Sequence, residues 1–124
     1  MHSSLIKIKN SESRYLASAG LSEWLFAEKF WEKINISCGT LFDQFEDDEA
    51  STQTCVEIAK QLSIIISLLN DLDVNKISFS IGQNEKHEDL LVELTKIDLV
   101  AELNKFQSIF VDAVAQNTTV ICEL

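Results

Sequence analysis

Ser22-Glu-Trp-Leu-Phe-Ala-Glu-Lys-Phe-Trp-Glu-Lys-Ile34 decides the fold, because it gathers both tryptophans and two of the seven phenylalanines of the 124-residue chain. At about 100° per residue, Trp24, Phe26, Ala27, Phe30, Trp31 and Ile34 share a sector of roughly 160°, with Glu28, Lys29, Glu32 and Lys33 opposite. Leu25 falls among the charged residues. The pattern predicts one amphipathic helix, capped by Ser22 and stopped at Cys38-Gly39. Its rings are spaced to stack along one stripe, and their burial contributes several kcal/mol each at most, before ordering costs. A core helix is the reading these residues support. A ligand box is the alternative, but no polar groups converge on the stripe.

Directly after this helix the character of the chain changes. Asp43-Gln-Phe-Glu-Asp-Asp-Glu49 places five acids in seven residues, flanked by Phe42 and Phe45. The segment Thr40–Ala50 reads as an acidic loop. Ser51 or Thr52 then caps a second helix running to about Leu69, with Cys55, Ile58, Ala59, Leu62, Ile65, Ile66 and Leu69 on one face. Ile64 and Leu68 fall off that face. The C-terminal half of this helix is therefore expected either between two layers of one domain, the reading preferred here, or in a dimer contact.

Upstream, Leu5-Ile-Lys-Ile-Lys9 alternates and reads as a strand with Ile6 and Ile8 inward. Ser11 is a plausible cap for a short helical turn ending at Ala19-Gly20. Downstream, Lys76-Ile-Ser-Phe-Ser-Ile-Gly82 alternates with Ile77, Phe79 and Ile81 inward. Leu90–Thr95 completes a hairpin across a loop of about seven residues, with a helix as the alternative for this short apolar run. Thr95-Lys-Ile-Asp98 resembles a capping box, opening a helix that carries Leu99, Leu103, Phe106, Phe110, Ala113 and Val114 on one stripe. Asn117 is an acceptable left-handed stop, and Thr118–Leu124 reads as a closing strand inserted in, or paired to, a sheet. The expected fold is α+β: a two-layer sandwich of about four short, mostly antiparallel strands and three main helices in a single domain, residues 1–124.

Composition narrows the function classes. Apolar residues make up 46% and charged residues 24%, as in ordinary globular domains. The net charge is −10, with +1 over residues 1–33, −6 over 34–72 and −5 over 73–124. Such a field disfavours nucleic acid and anionic membrane surfaces and favours encounter with a basic protein. Three scattered cysteines, Cys38, Cys55 and Cys122, suit free thiols in a reducing compartment. No stretch has the length of a signal peptide or a membrane span, so a cytoplasmic location is expected.

Chemistry is sparse. His87, in Glu85-Lys-His-Glu-Asp89, has no second histidine or cysteine nearby to make a zinc site. Walker A, dinucleotide-fingerprint and nucleophile-elbow motifs are absent, and Asp43–Glu49 lacks the ligand order of a calcium loop. No cofactor, metal or catalytic residue is expected. Asp43, Phe45, Glu46, Asp47, Asp48 and Glu49 remain as candidate partner-binding residues, an aromatic anchor within a charged surround. The plainer reading is a solvated acidic connection between two helices.

In size, charge and lack of a signal, with Trp24-Leu-Phe…Phe30-Trp31 followed by Asp43–Glu49, the chain resembles the small acidic cytoplasmic immunity proteins that bacteria pair with polymorphic or contact-dependent toxins. The resemblance implies a compact α or α+β domain that blocks a toxin by covering its active site. No motif corresponds position by position, so it brings no functional residue. Two other readings stand beside it. One is a structural or regulatory subunit acting as a homodimer through Leu25, Ile64 and Leu68; the other is an enzyme centred on His87. The oligomeric state expected of the chain is monomer or homodimer.

Overall fold

The computed structural model describes all 124 residues, Met1–Leu124. It is an α+β fold of six strands and four helices, with every strand pair antiparallel. The expected sandwich is present, with two more strands and one more helix than the periodicity indicated.

β1 (Ser4–Ile8) buries Ile6 and Ile8 as its alternation requires. It does not lead into a helical turn. The chain reverses at Asn10, which takes φ 60°, and returns as β2 (Arg14–Ala17), so the turn assigned to Ser11–Ala19 is corrected to a hairpin. Short polar asparagine visits the left-handed region readily, and that suits a tight reversal.

The aromatic stretch is two helices rather than one. Ser18, not Ser22, caps α1 (Ala19–Ala27) by accepting from the Leu21 amide, while Ser22 is buried within the helix. Lys29 at φ 60° breaks the helix, and α2 (Phe30–Cys38) starts at the next residue. The break explains Leu25. On an unbroken helix it would face solvent with the charges; here it is 2% exposed, in the same core as Trp24, Phe30, Trp31 and Ile34. Leu25 is thereby withdrawn from any dimer surface.

α2 ends where expected, at Gly39 with φ 67° and its amide donating to the Asn35 carbonyl. A Cβ at this position would meet nothing within 4 Å. Gly39→Ala therefore carries only the left-handed backbone cost, and an expected loss of about 1–2 kcal/mol is measurable by urea unfolding.

β3 (Asp47–Ala50) lies within the acidic segment, and Ser51 caps α3 (Thr52–Asp71) by accepting from the Thr54 amide. α3 buries Cys55, Ile58, Leu62 and Leu69, but Leu68 is 61% exposed and Ile64 is also exposed. The end of α3 is thus open on one side rather than sandwiched. β4 (Lys76–Gln83) and β5 (Asp89–Thr95) form a separate hairpin, with Phe79 buried and Ile81 outside the core. Thr95 caps α4 (Lys96–Ala115), whose Leu99, Leu103, Phe106, Phe110 and Ala113 are buried as predicted. Asn117 stops it at φ 52° before β6 (Val120–Glu123).

β6 takes an interior position beside β1, giving a four-stranded sheet of order β2-β1-β6-β3. Ile6 opposes Cys122 and Tyr15, and Ile8 opposes Val120, so one face of the sheet meets the helices. α4 is the central helix, touching β1, β2, β5, α1 and α3. Trp31 joins the layers: its ring lies 5.2 Å from Phe30, 5.1 Å from Phe42 and 6.3 Å from Phe106.

Candidate functional site

The acidic segment is not a free loop. At its start, Asn35 on α2 staples the backbone: its Nδ2 donates to the Phe42 carbonyl at 2.9 Å, and its Oδ1 accepts from the Phe42 amide and from Thr40 Oγ1, each at 2.8 Å. Further along, the Leu124 amide donates to the Glu46 carbonyl at 3.0 Å. Asp47, Asp48, Glu49 and Ala50 then pair with Glu123, Cys122, Ile121 and Val120. Three of the five acids therefore sit on an edge strand, a correction to the loop reading. Charge on an exposed edge also discourages unwanted strand pairing.

This anchoring separates the two phenylalanines. Phe42 is buried against Trp31 and is core rather than contact surface. Phe45 takes φ 65° and is 72% exposed. A non-glycine residue in that region carries backbone strain, held here by the pairing on either side.

Phe45 projects beside the open face of the four-stranded sheet, the face turned away from the helices. It lines a cleft of about 370 Å³ with His2, Leu5, Leu16, Asp47, Glu123 and Leu124. Leu16, on β2, is 63% exposed. The His2 ring lies 4.8 Å from that of Phe45, and the His2 amide and Gln44 Nε2 both donate to Glu23 Oε1 at 3.2 Å. Across this face Leu16 on β2 and Leu5 on β1 lie side by side, followed by Glu123 on β6 and Asp47 on β3. Lys7 pairs with Glu123 at 2.9 Å and Lys9 with Glu49 at 3.3 Å. Asp43, Glu46 and Asp47 are exposed and form no ion pair.

On the other side of the same segment, Asp43 and Glu46 line a cleft of about 520 Å³ with Glu32, Asn35, Leu41, Phe42 and Trp31. Lys29 also lines it, 3.6 Å from Glu32, which leaves Asp43 and Glu46 as the unpaired carboxylates; with the apolar floor beside them they match a lysine or arginine side chain, whose methylenes pack while the head group meets carboxylates. The six candidate residues are therefore divided: Phe45 and Asp47 line the cleft on the open sheet face, Asp43 and Glu46 line the one on the other side, Glu49 shares the Asp47 face of β3, and half-buried Asp48 lies on the opposite face of that strand. Leu16 and Glu32, which adjoin them from other elements, and Leu41, just ahead of them in the chain, carry no signal in the sequence.

Nothing comparable surrounds the other reactive groups. His87 sits at the exposed tip of the β4–β5 hairpin, and its imidazole makes no hydrogen bond. Burial pushes the Cys55 thiol up to about 11 and the Cys122 thiol well above its ordinary range, the opposite of an activated nucleophile. No group of three or more His, Cys, Asp and Glu side chains is arranged to hold a metal ion, and no helix is long and apolar enough to cross a membrane. Compared with protein-family models, with curated proteins and with solved structures, the chain finds no match in any of the three.

Proposed function

We propose that the chain is a non-catalytic protein-binding module, an inhibitor of the immunity or antitoxin type that neutralises a basic toxin domain by covering its active site. The observation that carries this reading is Phe45: a large ring 72% exposed, sharing a cleft with exposed Leu16 and with Asp47, and next in the chain to exposed Glu46. An aromatic anchor ringed by charge is the anatomy of an interface hot spot, and the −10 net charge steers a basic partner toward it. A site held by β3 pairing and the Asn35 staple is rigid before binding, which lowers the ordering cost of association.

The partner is sought as the product of the neighbouring reading frame or by pull-down from the native cell. With that partner, the triple reversal Asp47→Lys, Asp48→Lys and Glu49→Lys is expected to slow association by roughly tenfold or more at low salt. Phe45→Ala is expected to speed dissociation, with a loss of about 2 kcal/mol or more. Surface plasmon resonance separates the two rates. Unchanged affinity in both variants removes this surface from the function.

A further inference from the structure

α3 carries three charged side chains, Glu57, Lys60 and Asp71. Glu57 is engaged within the helix, where its Oε1 accepts from Gln61 Nε2 at 2.8 Å. Lys60 and Asp71 are exposed, and neither forms an ion pair. They stand eleven residues apart on α3, three helical turns to within about 20°. Both therefore lie on one stripe, with Ile64 and Ser67 between them and Leu68 at its side.

This stripe is turned away from the core. Cys55, Ile58, Leu62 and Leu69 are buried on the opposite side of α3, while Ile64 is 46% and Leu68 61% exposed. The flank toward α4 is already joined, because Gln107 Nε2 donates to the Ala59 carbonyl at 2.8 Å. Lys96, which reaches the end of α3 from α4, donates to the carbonyls of Asn70 and Leu72 and leaves the Asp71 carboxylate free. Two opposite charges on one stripe, too far apart to meet each other, bracket the exposed apolar residues between them.

We propose that this stripe is a self-association face, on which α3 of a second copy packs antiparallel about a dyad between Ile64 and Ser67. Charge selects both the occupant and its direction. In an antiparallel pair positions 60 and 71 exchange places, so Lys60 of each copy lies beside Asp71 of the other. Two ion pairs form that neither copy can make alone; a parallel pair would set lysine against lysine. A net charge of −10 opposes self-association over the surface as a whole, but on this stripe the charges cancel and close on each other. The dyad also brings Ile64 and Leu68 of both copies to the same side of the contact, where the four side chains shield one another from water. Small Ser67 beside the axis leaves room for the helices to approach. No residue of Asp43–Glu49 takes part, and the inference stands whether or not that surface binds a toxin.

The test is the mass of the intact chain by sedimentation at concentrations up to about 1 mM, because one helix per copy makes a contact below standard size. The expected species at the upper end is about twice the 14.0 kDa chain. Lys60→Glu and Asp71→Lys each turn both ion pairs into like-charge contacts, and both positions are exposed, so the fold is kept. Each variant is expected to weaken the dimer on the order of tenfold, since the dyad counts every change twice. Mixing the two variants, or combining both changes in one chain, restores opposite charges and is expected to restore the dimer. A 14.0 kDa monomer throughout overturns the proposal. So does a dimer indifferent to both single variants, or one that neither the mixture nor the double variant recovers. A monomer that loses a verified partner in Ile64→Asp/Leu68→Asp also overturns it, by giving the stripe to a different protein.

Discussion

Trp31→Ala is expected to lower the unfolding free energy by roughly 3–5 kcal/mol, the range for removing a large aromatic from a core that relaxes only in part. Trp31 is nearly inaccessible and touches rings from three separate parts of the chain: Phe30 beside it on α2, Phe42 in the connection to β3, and Phe106 on α4. Its loss removes buried area and opens a void between layers that cannot close without moving α4. Since small domains are stable by about 5–15 kcal/mol, the variant should stand close to its unfolding threshold. Urea unfolding with an unchanged slope is the measurement. Phe45→Ala, which removes an exposed ring, should stay within about 0.5 kcal/mol of the parent in the same assay. A loss below 1 kcal/mol for Trp31→Ala would mean that the two layers do not share this ring as their common core.

Stability is also expected to fall steeply at alkaline pH. Burial raises Cys55 from 9.0 to about 11, and burial, with lesser contributions from Cys55 and Asp48, holds Cys122 well above 9.0. Tyr15 rises from 10.0 to about 12, first through burial and then through the charge and hydrogen bond of Glu102. Below pH 9 these groups are protonated in both native and unfolded chains, and their contribution is complete. As pH passes the unfolded values, the unfolded chain ionises while the native one holds its protons, so the native state loses ground until the folded values are reached. At about 1.4 kcal/mol per unit, Cys55 alone gives up on the order of 3 kcal/mol beyond pH 11. Half-buried Tyr15 adds less because solvent screens it. Unfolding midpoints measured from pH 8 to 11.5 should fall in the parent and flatten in a Cys55→Ala/Cys122→Ala variant. Equal slopes in the two proteins would remove the thiols as the cause.

Where side-chain period and caps agree, the fold was legible in the sequence. β1, β4, β5, α3, α4 and β6 follow from alternation or a 3.6-residue stripe, and Ser51, Thr95, Gly39 and Asn117 mark boundaries by local chemistry. The failures have physical causes. β3 is Asp-Asp-Glu-Ala, a poor strand former made extended by pairing with β6, and no local signal announces a partner so distant in sequence. The break at Lys29 uses a lysine in the left-handed region, where the usual marker would be glycine or asparagine. Missing that break made Leu25 look exposed. The candidate surface was legible as far as charge goes, because acids this dense stay in water. Its apolar part was not, since Leu16 on β2 and Phe45 just before β3 belong to opposite edges of the sheet and share a cleft only in the folded chain.

That strand order also bears on how the molecule forms. The hairpin β4–β5 and the pair α3–α4 close over short or moderate loops, whereas β1 can meet β6 only by joining residues 5–8 to residues 120–123. Contacts of such long separation carry the largest loop-closure cost and slow folding toward milliseconds or seconds. β3 waits on the same event, because its only strand partner is β6. The acidic surface therefore takes shape last, and a chain trapped before β6 docks would hold much of its helix content while presenting nothing for a partner to bind.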